Sequence, residues 1–473
     1  MADINLGVGG ANSAVAGGYT IDNSLKFEED NLELLYKTFS GEGTGAGRTF
    51  TISTWCKRTE LGGIDILFGY GRDANDYGDG GFRINSDQLQ ITSFPYSGGV
   101  DSYNIRSTAV FRDTSAWYHF MAAVDTTQGT ASNRVRLYVN GTEITDFTTS
   151  DYPAQNFQWK VGRAEEHMIG NRPDTSATEG AGFSTQNFSG YMAEFHFVDG
   201  QQLAPTDFGE FDTDTGIWKP IAYTGSYGTN GFYLDFESSG SLGADGSGNS
   251  NNFTLSNITS ADQATDTPTN NFAIYNVLNP TYGSCVINEG ATQIEGDSTG
   301  SFRNVQSTLA VTSGKWYCEL VPQLASTMNT SFGVVNLDTA VFDTTWYNNA
   351  GYWGGNFDSG ASIYFFTNGG GAGSEPVSFS GTVGLAFDAD NGTLDFYLNN
   401  SHQEQLTGIP SGTFAFFADV QGTGNPYIRY NFGGYTVNSI SSAASDANGY
   451  GTFEYAPPSG YYALCSKNLA EFG

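Results

Sequence analysis

Side chains suited to binding a sugar are most concentrated between Thr345 and Asn356, in the run TWYNNAGYWGGN. Aromatic rings cover the apolar faces of a sugar, while amide groups select its hydroxyls by hydrogen bonding. The pattern therefore predicts a ligand-binding loop, with candidate residues Trp346, Tyr347, Asn348, Tyr352, Trp353 and Asn356. The alternative interpretation is that Trp346, Tyr352 and Trp353 pack against the body of their domain.

A second candidate site is the acidic run DANDYGD at positions 73–79. Calcium loops place oxygen donors at alternate positions and add a later bidentate carboxylate. The candidate metal ligands are Asp73, Asn75, Asp76 and Asp79. Tyr77 interrupts the spacing, so a solvated acidic turn is the alternative to a bound calcium ion. The run DADNG at 388–392 raises the same choice, and there we expect a plain hairpin turn.

Carboxylate pairs for catalysis have one weak candidate. Glucanases with a two-sheet fold carry E-x-D-x-x-E or E-x-D-x-E on one strand, which brings acid and nucleophile to the same face. The run EFDTD at 210–214 comes nearest, but it ends in Asp and lies among Pro205, Gly209 and Gly216, which favours a loop. We expect no Ser-His-Asp elbow, and the sequence has no phosphate-binding loop.

Metal-binding and redox motifs are also missing from the sequence. The four histidines show no paired spacing, and we expect His119 and His196 to be ordinary strand residues. The four cysteines lack C-x-x-C spacing, and we expect buried free thiols at Cys56, Cys285, Cys318 and Cys465. The sequence therefore predicts a protein that is not an enzyme and has no cofactor other than the calcium ion considered above.

The formal charge of −31 restricts the partners of this chain. A field of this sign repels nucleic-acid phosphates and anionic membranes, and the 19 Lys and Arg residues never form a basic run. We therefore expect no nucleic-acid binding. No window approaches about 20 apolar residues, so no membrane insertion is expected. The first 20 residues have neither a basic region nor an apolar core typical of a secretory signal.

Composition and periodicity predict an all-β protein. Abundant glycine (62 residues) supplies turns, while 35 Phe and 27 Tyr supply bulky strand residues. Apolar residues fall on every second position in runs such as TFTISTW at 49–55 and RVRLYV at 134–139, and Asn140-Gly141 closes the latter as a hairpin turn. Helical periodicity is nearly absent. The expected fold is two antiparallel β-sandwich domains in tandem, and the resemblances given below imply that they are of jelly-roll, concanavalin A-like type.

The domain organisation follows from changes in composition along the chain. Residues 1–24 form an extended arm rich in small residues, and 25–222 form the first sandwich. Residues 223–272 are a loop-rich linker with short strands, which either complete the first sandwich or bridge to the second. Residues 273–473 form the second sandwich.

The first sandwich resembles the laminin-G and pentraxin branch of concanavalin A-like folds. The resemblance rests on TISTW at 51–55, WYH at 117–119, LYVNG at 137–141 and FSGYMAEF at 188–195, in that order. It implies a jelly-roll sandwich and leaves the ligand open.

The second sandwich resembles SPRY domains. The resemblance rests on SGKWYCEL at 313–320, VGLAFD at 383–388 and LDFYLNN at 394–400. It implies a module that binds a ligand or a protein through its loops.

The two halves joined by TDTPTNNF at 265–272 resemble structural proteins of tailed bacteriophages. That resemblance implies a virion protein, made in the host cytoplasm and present on extracellular particles. It implies a homo-oligomer whose partners are tail or capsid proteins. Two functions remain open. One is a tail fibre or adhesin that binds host surface polysaccharide, and the other is a decoration protein with protein contacts only. A secreted lectin or polysaccharide hydrolase is a more distant alternative.

Overall fold

The computed structural model describes residues 18–71, 80–93, 103–173, 180–182, 185–278, 286–296, 304–323, 328–340, 350–358, 362–368, 370, 377–378, 381–422 and 426–473. The chain divides into two compact units at the step from Thr269 to Asn270. We call them the N-terminal unit, Val15–Thr269, and the C-terminal unit, Asn270–Gly473. Both are nearly all-β, as predicted.

The N-terminal unit contains eighteen strands among its described residues. In chain order they are β1 Ser24–Phe27, β2 Leu34–Thr38, β3 Thr49–Arg58, β4 Ile64–Tyr70, β5 Gly80–Asn85, β6 Gln88–Ser93, β7 Tyr103–Val110, β8 Tyr118–Asp125, β9 Val135–Val139, β10 Thr142–Ile144, β11 Phe147–Asp151, β12 Glu166–Ile169, β13 Gly190–Asp199, β14 Gly209–Phe211, β15 Trp218–Pro220, β16 Phe232–Leu234, β17 Thr254–Ser256 and β18 Gln263–Ala264. The helical turns are α1, Ala131–Arg134, and two 3-10 turns, Pro205–Asp207 and Ser260–Asp262.

These strands form two large antiparallel sheets and a small hairpin. Sheet A has the order β10-β9-β8-β3-β13-β1-β18, with β16 also paired to β13. Sheet B has the order β11-β7-β6-β5-β4-β12-β2-β17, and β14 pairs with β15 alone. The Phe68 ring of sheet B lies 5.6 Å from the Phe195 ring of sheet A, so the two sheets enclose one core. The alternating apolar positions of the sequence line this core, because successive side chains on a strand point to opposite faces.

The segment after residue 222 belongs to the first sandwich. Strand β16 extends sheet A beside β13, β18 pairs with β1, and β17 pairs with β2 in sheet B. Of the two roles left open for these short strands, the structure shows completion of the first sandwich. Residues 1–17 of the predicted arm lie outside the described residues. The described end of the arm contacts the rest of the N-terminal unit: the Thr269 hydroxyl accepts a hydrogen bond from the Ile21 backbone N–H and donates one to the Ile21 backbone oxygen.

The C-terminal unit adds fourteen strands and one short helix in its described part. They are β19 Val286–Asn288, β20 Gln293–Glu295, β21 Asn304–Gln306, β22 Lys315–Gln323, β23 Met328–Asn336, β24 Tyr352–Asp358, β25 Ser362–Thr367, β26 Val377–Ser378, β27 Val383–Asp388, β28 Thr393–Leu398, β29 Ser401–Leu406, β30 Phe414–Gly422, β31 Tyr427–Asn431, β32 Tyr462–Ala463 and α2 Ser466–Phe472.

Two sheets again enclose a core. Sheet C has the order β19-β20-β31-β22-β27-β28-β29, with β32 running parallel to β22. Sheet D has the order β21-β30-β23-β24-β25-β26. The Phe387 ring of sheet C lies 5.0 Å from the Phe414 ring of sheet D, and the buried Trp316 belongs to the same core. The chain after β31 returns over the outer face of sheet C, where Phe453 and Cys465 pack against Tyr317.

Candidate functional site

The predicted sugar-binding loop is only partly within the described residues. Trp346, Tyr347 and Asn348 lie outside them, so their role stays a prediction. Tyr352 and Trp353 are 1% and 3% exposed. Trp353 faces the sandwich core, and Tyr352 packs on the opposite face of β24 with its ring 5.0 Å from that of Phe417. Neither ring is available to stack on a sugar here, which corrects the binding role given to these two and favours the packing alternative.

Asn356 lies in a polar row that crosses the outer face of sheet D. The register places one residue of each strand side by side: Asn304, Asp419, Ser331, Asn356 and Tyr364. The side-chain oxygen of Asn356 accepts a hydrogen bond of 2.9 Å from the Ser331 hydroxyl. Asp419 and Ser331 are buried, and exposure rises only at the β25 end, to 37% at Tyr364. A ligand could therefore reach this row only at its β25 end, near Tyr364.

The predicted calcium ligands Asp73, Asn75, Asp76 and Asp79 all lie outside the described residues, so the site stays a prediction. Within the described ranges, no group of three His, Cys, Asp or Glu side chains is placed to hold a metal ion. At 388–392 the expected hairpin turn is present. Asp388 accepts hydrogen bonds from the backbone and side chain of Asn391 and pairs with Lys315 at 2.7 Å.

The acidic run at 210–214 forms a small hairpin and brings no acid–nucleophile pair together. Asp212 accepts hydrogen bonds from the backbone and hydroxyl of Thr215 and the backbone of Asp214, and these lower its pKa to about 2. Glu210 is exposed and pairs with Lys219 at 3.2 Å. Both carboxylates therefore have structural partners in the turn and in the strand pair.

Ser53 and His119 form a pair that looks like a nucleophile and its base. Nε2 of His119 lies 2.7 Å from the Ser53 hydroxyl, on the outer face of sheet A. The Trp218 indole donates a hydrogen bond to His119 Nδ1, and an indole N–H can only donate. The proton of the neutral ring is therefore on Nε2, which donates to Ser53. Burial lowers the pKa of His119 to about 3, so the ring does not take a proton from the serine.

The remaining buried histidines and the cysteines match the structural interpretation. His167 Nε2 accepts from the Gly162 backbone, and His196 Nδ1 lies 2.9 Å from the Tyr227 hydroxyl. Cys56, Cys318 and Cys465 are buried free thiols, whereas Cys285 lies outside the described residues. In the part of the chain that the structure describes, no helix has the length and apolarity needed to cross a membrane.

The clearest candidate site lies at the β28–β29 edge of sheet C, and we call it the Asp395 face: Asp395, Tyr397, His402, Gln405 and Tyr461. Leu394 and Phe396 point into the core, so Asp395 and Tyr397 share the outer face. The Gln405 amide donates to both Asp395 oxygens at 3.0 and 3.1 Å, and His402 Nε2 lies 2.8 Å from Oδ1. The carboxylate is thus held in one orientation.

A β-bulge puts both Asp395 partners on one face. His402 and Gln405 are three residues apart, and a regular strand would point them to opposite faces. Between Phe396 and Tyr397 the register shifts, so that His402 pairs with Tyr397 and Gln405 with Asp395. Bulges often re-aim a side chain beside a functional site.

Two tyrosines border the Asp395 carboxylate. The Tyr397 ring is half-buried and meets the His402 ring edge-on at 5.2 Å. Tyr461, from the segment that covers sheet C, is also half-buried, and Lys315 Nζ lies 5.6 Å from its ring centre. Burial and the Asp395 charge raise the pKa of both hydroxyls, so both stay protonated at neutral pH. The face therefore combines aromatic surface, a carboxylate acceptor and amide and imidazole groups.

The sequence contained part of the signal for this face. The run LDFYL at 394–398 alternates strictly, which places Asp395 and Tyr397 together on the side away from the core. The bulge in β29 and the return of Tyr461 from a distant segment have no comparable sequence signal.

Comparisons with known proteins agree with the sandwich fold of the N-terminal unit. The Laminin_G_3 family model, described as the concanavalin A-like lectin/glucanases superfamily, matches residues 36–207. The N-terminal unit therefore contains a concanavalin A-like domain, where the sequence resemblance placed it. A search of curated proteins gave no match.

Several solved structures are similar to parts of the chain. The SPRY domain of human HERC1 is 14% identical, over 35% of this chain and 99% of that one, with a TM-score of 0.28. The heptameric SAP-like pentraxin from Limulus polyphemus is 18% identical, over 39% and 78%, with a TM-score of 0.29. Stonustoxin is 13% identical over 33% of this chain, a match that spans only 28% of its own chain, with a TM-score of 0.29. Likeness at this level assigns no ligand, activity or assembly to the chain.

Proposed function

We propose that this chain is a non-catalytic recognition protein that binds a saccharide at the Asp395 face. The observation that carries the proposal is the Asp395 carboxylate, held by Gln405 and His402 beside the half-buried Tyr397 ring. Sugar sites need an aromatic surface next to a few fixed polar groups. The Asp395 face has both, and its five members are all within the described residues.

Preorganisation supports this assignment. Asp395 lies on β28, between β27 and the edge strand β29. Its hydrogen bonds with Gln405 and His402 orient the carboxylate before a ligand binds. Binding then orders few additional side chains, which lowers the entropic cost of association. A sugar hydroxyl can donate to a carboxylate oxygen while an apolar sugar face covers Tyr397.

The finer proposal is that the protein belongs to the virion of a tailed bacteriophage, as a tail fibre or adhesin that binds host surface glycans. It would be made in the host cytoplasm and assemble as a homo-oligomer with other tail or capsid proteins. This finer proposal rests on the sequence resemblance drawn for the two halves joined by residues 265–272. The nearly all-β architecture and the charge of −31, which disfavours nucleic acid, are compatible with it. The non-catalytic role is supported by the structural partners of Asp212, Glu210 and His119 described above.

The test is a glycan array of bacterial surface polysaccharides probed with the full chain, followed by calorimetric titration of the best ligand. Tyr397→Ala removes the stacking surface and Asp395→Asn removes the charge, and we expect each to weaken binding about tenfold, near 1.4 kcal/mol. Tyr364→Ala, an exposed tyrosine on sheet D, is the matched control and should bind normally. Loss of binding in Tyr364→Ala with retention in Tyr397→Ala would move the site to sheet D.

One observation favours the decoration-protein alternative. Phe211 is 51% exposed on the β14–β15 hairpin, with its ring 4.9 Å from that of Trp218. A protein partner that covered this ring would remove its apolar surface from water, which is favourable. Failure of the full chain to bind any glycan, together with loss of incorporation into particles by Phe211→Ser, would replace the adhesin proposal by this alternative.

A further inference from the structure

The outer face of sheet B carries a row of long polar side chains across three neighbouring strands. Arg83 on β5 pairs in register with Gln90 on β6, and Gln90 pairs with Arg106 on β7. Their chain neighbours Phe82, Leu89 and Ile105 line the core, so these three residues point away from it. The two arginines are two strands apart, which corresponds to about 10 Å between their backbones.

Gln90 fixes the row through hydrogen bonds. Its side-chain oxygen accepts from Arg83 Nε at 2.8 Å and from the Asn85 amide at 3.1 Å. Its side-chain nitrogen donates to the side-chain oxygen of Asn104 at 2.6 Å. Arg106 Nη2 donates to the Asn85 backbone oxygen at 2.8 Å. Gln90 is 2% exposed, whereas Arg106, Asn104 and Asn85 are half-exposed, so the row opens to solvent at its β7 side.

Arg106 differs in its charge environment from Lys26, Lys57 and Arg58, three fully buried cations of this unit. Lys26, Lys57 and Arg58 each contact a carboxylate at 3.0 Å or less. Among the described residues, no carboxylate lies within ion-pairing distance of Arg106, although Asp151 on β11 lies opposite Asn104. Burial lowers the pKa of Arg83 to about 10, and the positive charge of Arg106 contributes. Two positive charges thus lie near each other on this face of a strongly acidic protein.

We propose that this row is a second saccharide site, selective for a sugar that bears a carboxylate. Arg106 binds the carboxylate through its guanidinium group, and the Asn104 and Asn85 amides bind neighbouring hydroxyls. A guanidinium group matches the planar geometry of a carboxylate, and such charge-assisted bonds are roughly twice as strong as neutral ones. The net charge of −31 opposes long polyanions, so the expected ligand is a short saccharide with a single acidic residue.

The experiment is calorimetric titration of the full chain with three probes: a uronic-acid trisaccharide bearing one free carboxylate, its methyl ester, and sodium acetate. The acid should bind at least tenfold more tightly than the ester, and acetate alone should bind far more weakly than the acid. Arg106→Gln should remove the preference for the acid, and Arg106→Lys should keep part of it. Arg134→Gln is the matched control, because Arg134 donates only to backbone oxygens.

A second variant keeps the proposal testable if Arg106→Gln unfolds. Asn104→Asp retains the oxygen that accepts from Gln90 and adds a negative charge beside Arg106, so it should abolish binding of the acid. Equal binding of acid and ester, normal binding by Asn104→Asp, or no binding of the acid by the unmodified chain would each overturn the proposal. Because this face belongs to sheet B, Asp395→Asn should not change the titration, which separates failure here from failure of the Asp395 face.

Discussion

Replacing Asp266 by alanine removes the counter-ion of a fully buried lysine. Lys57 Nζ lies 2.7 Å from Asp266 Oδ2, and the two side chains are 0% and 1% exposed. The Trp117 indole donates to Oδ1 at 3.0 Å, and the Asp266 backbone oxygen accepts from the Ser24 hydroxyl. Asp266, near the end of the N-terminal unit, therefore contacts strand β3 through Lys57 and strand β1 through Ser24.

The cost of the substitution follows from that geometry. Removing one partner of a buried ion pair typically costs about 3–5 kcal/mol, because the other charge stays buried without compensation. A native domain has a total stability of roughly 5–15 kcal/mol, so a large fraction is lost. For a domain of this size, about 2–4 °C of melting temperature corresponds to each kcal/mol, which predicts a fall of about 6–20 °C.

Differential scanning calorimetry of the full chain measures this shift. The double variant Lys57→Met with Asp266→Leu is the control, since it removes both charges of the pair, although the Trp117 indole loses its acceptor. It should recover at least half of the lost stability. A fall of less than 2 °C in Asp266→Ala, or a double variant no more stable than the single one, would refute the assignment of Asp266 as the compensating charge.

Two further stability predictions follow from His119 and Gly333. His119 is neutral in the folded protein, whereas in the unfolded chain its ring takes up a proton once the pH falls below the ordinary histidine pKa of about 6.5. The unfolded state is therefore favoured at low pH, and the stability that this group contributes is lost as the pH falls. In urea unfolding, the stability of the parent chain relative to His119→Gln should therefore fall by about 2 kcal/mol between pH 7.5 and pH 5.0; a difference independent of pH would contradict it. Gly333 has a φ of +148°, and an added Cβ would lie 2.1 Å from the Trp353 backbone oxygen. Gly333→Ala should lower the free energy of unfolding by about 1–3 kcal/mol. Gly129→Ala is the control and should lower it much less, because there is open space around Gly129. Equal melting temperatures of the two variants would contradict the packing described at Gly333.

The sandwich fold was predictable because burial on strands has a period of two. Runs such as TFTISTW at 49–55 and LDFYL at 394–398 identify strands and separate their inner and outer faces. The short strands between residues 223 and 269 were ambiguous, because a three-residue strand has almost no periodicity of its own. Their pairing with β13, β1 and β2 depends on contacts with residues far away in the chain.

The candidate sites show where sequence patterns stop. Tyr352 and Trp353 have the residue types of a sugar site, yet both rings are buried on opposite faces of β24. Alternation tells which side chains share a face, but it does not tell whether another segment covers that face. Tyr397 remains half-exposed because its strand lies next to the sheet edge, and Tyr461 reaches it only through the returning C-terminal segment.

The central claim, that the Asp395 face binds a saccharide, is tested most directly by a crystal structure of the full chain with the saccharide selected on the array. We expect the sugar ring against Tyr397 and a hydroxyl within hydrogen-bonding distance of the Asp395 carboxylate. A sugar bound elsewhere, with Tyr397 and Asp395 in contact with solvent only, would contradict the account.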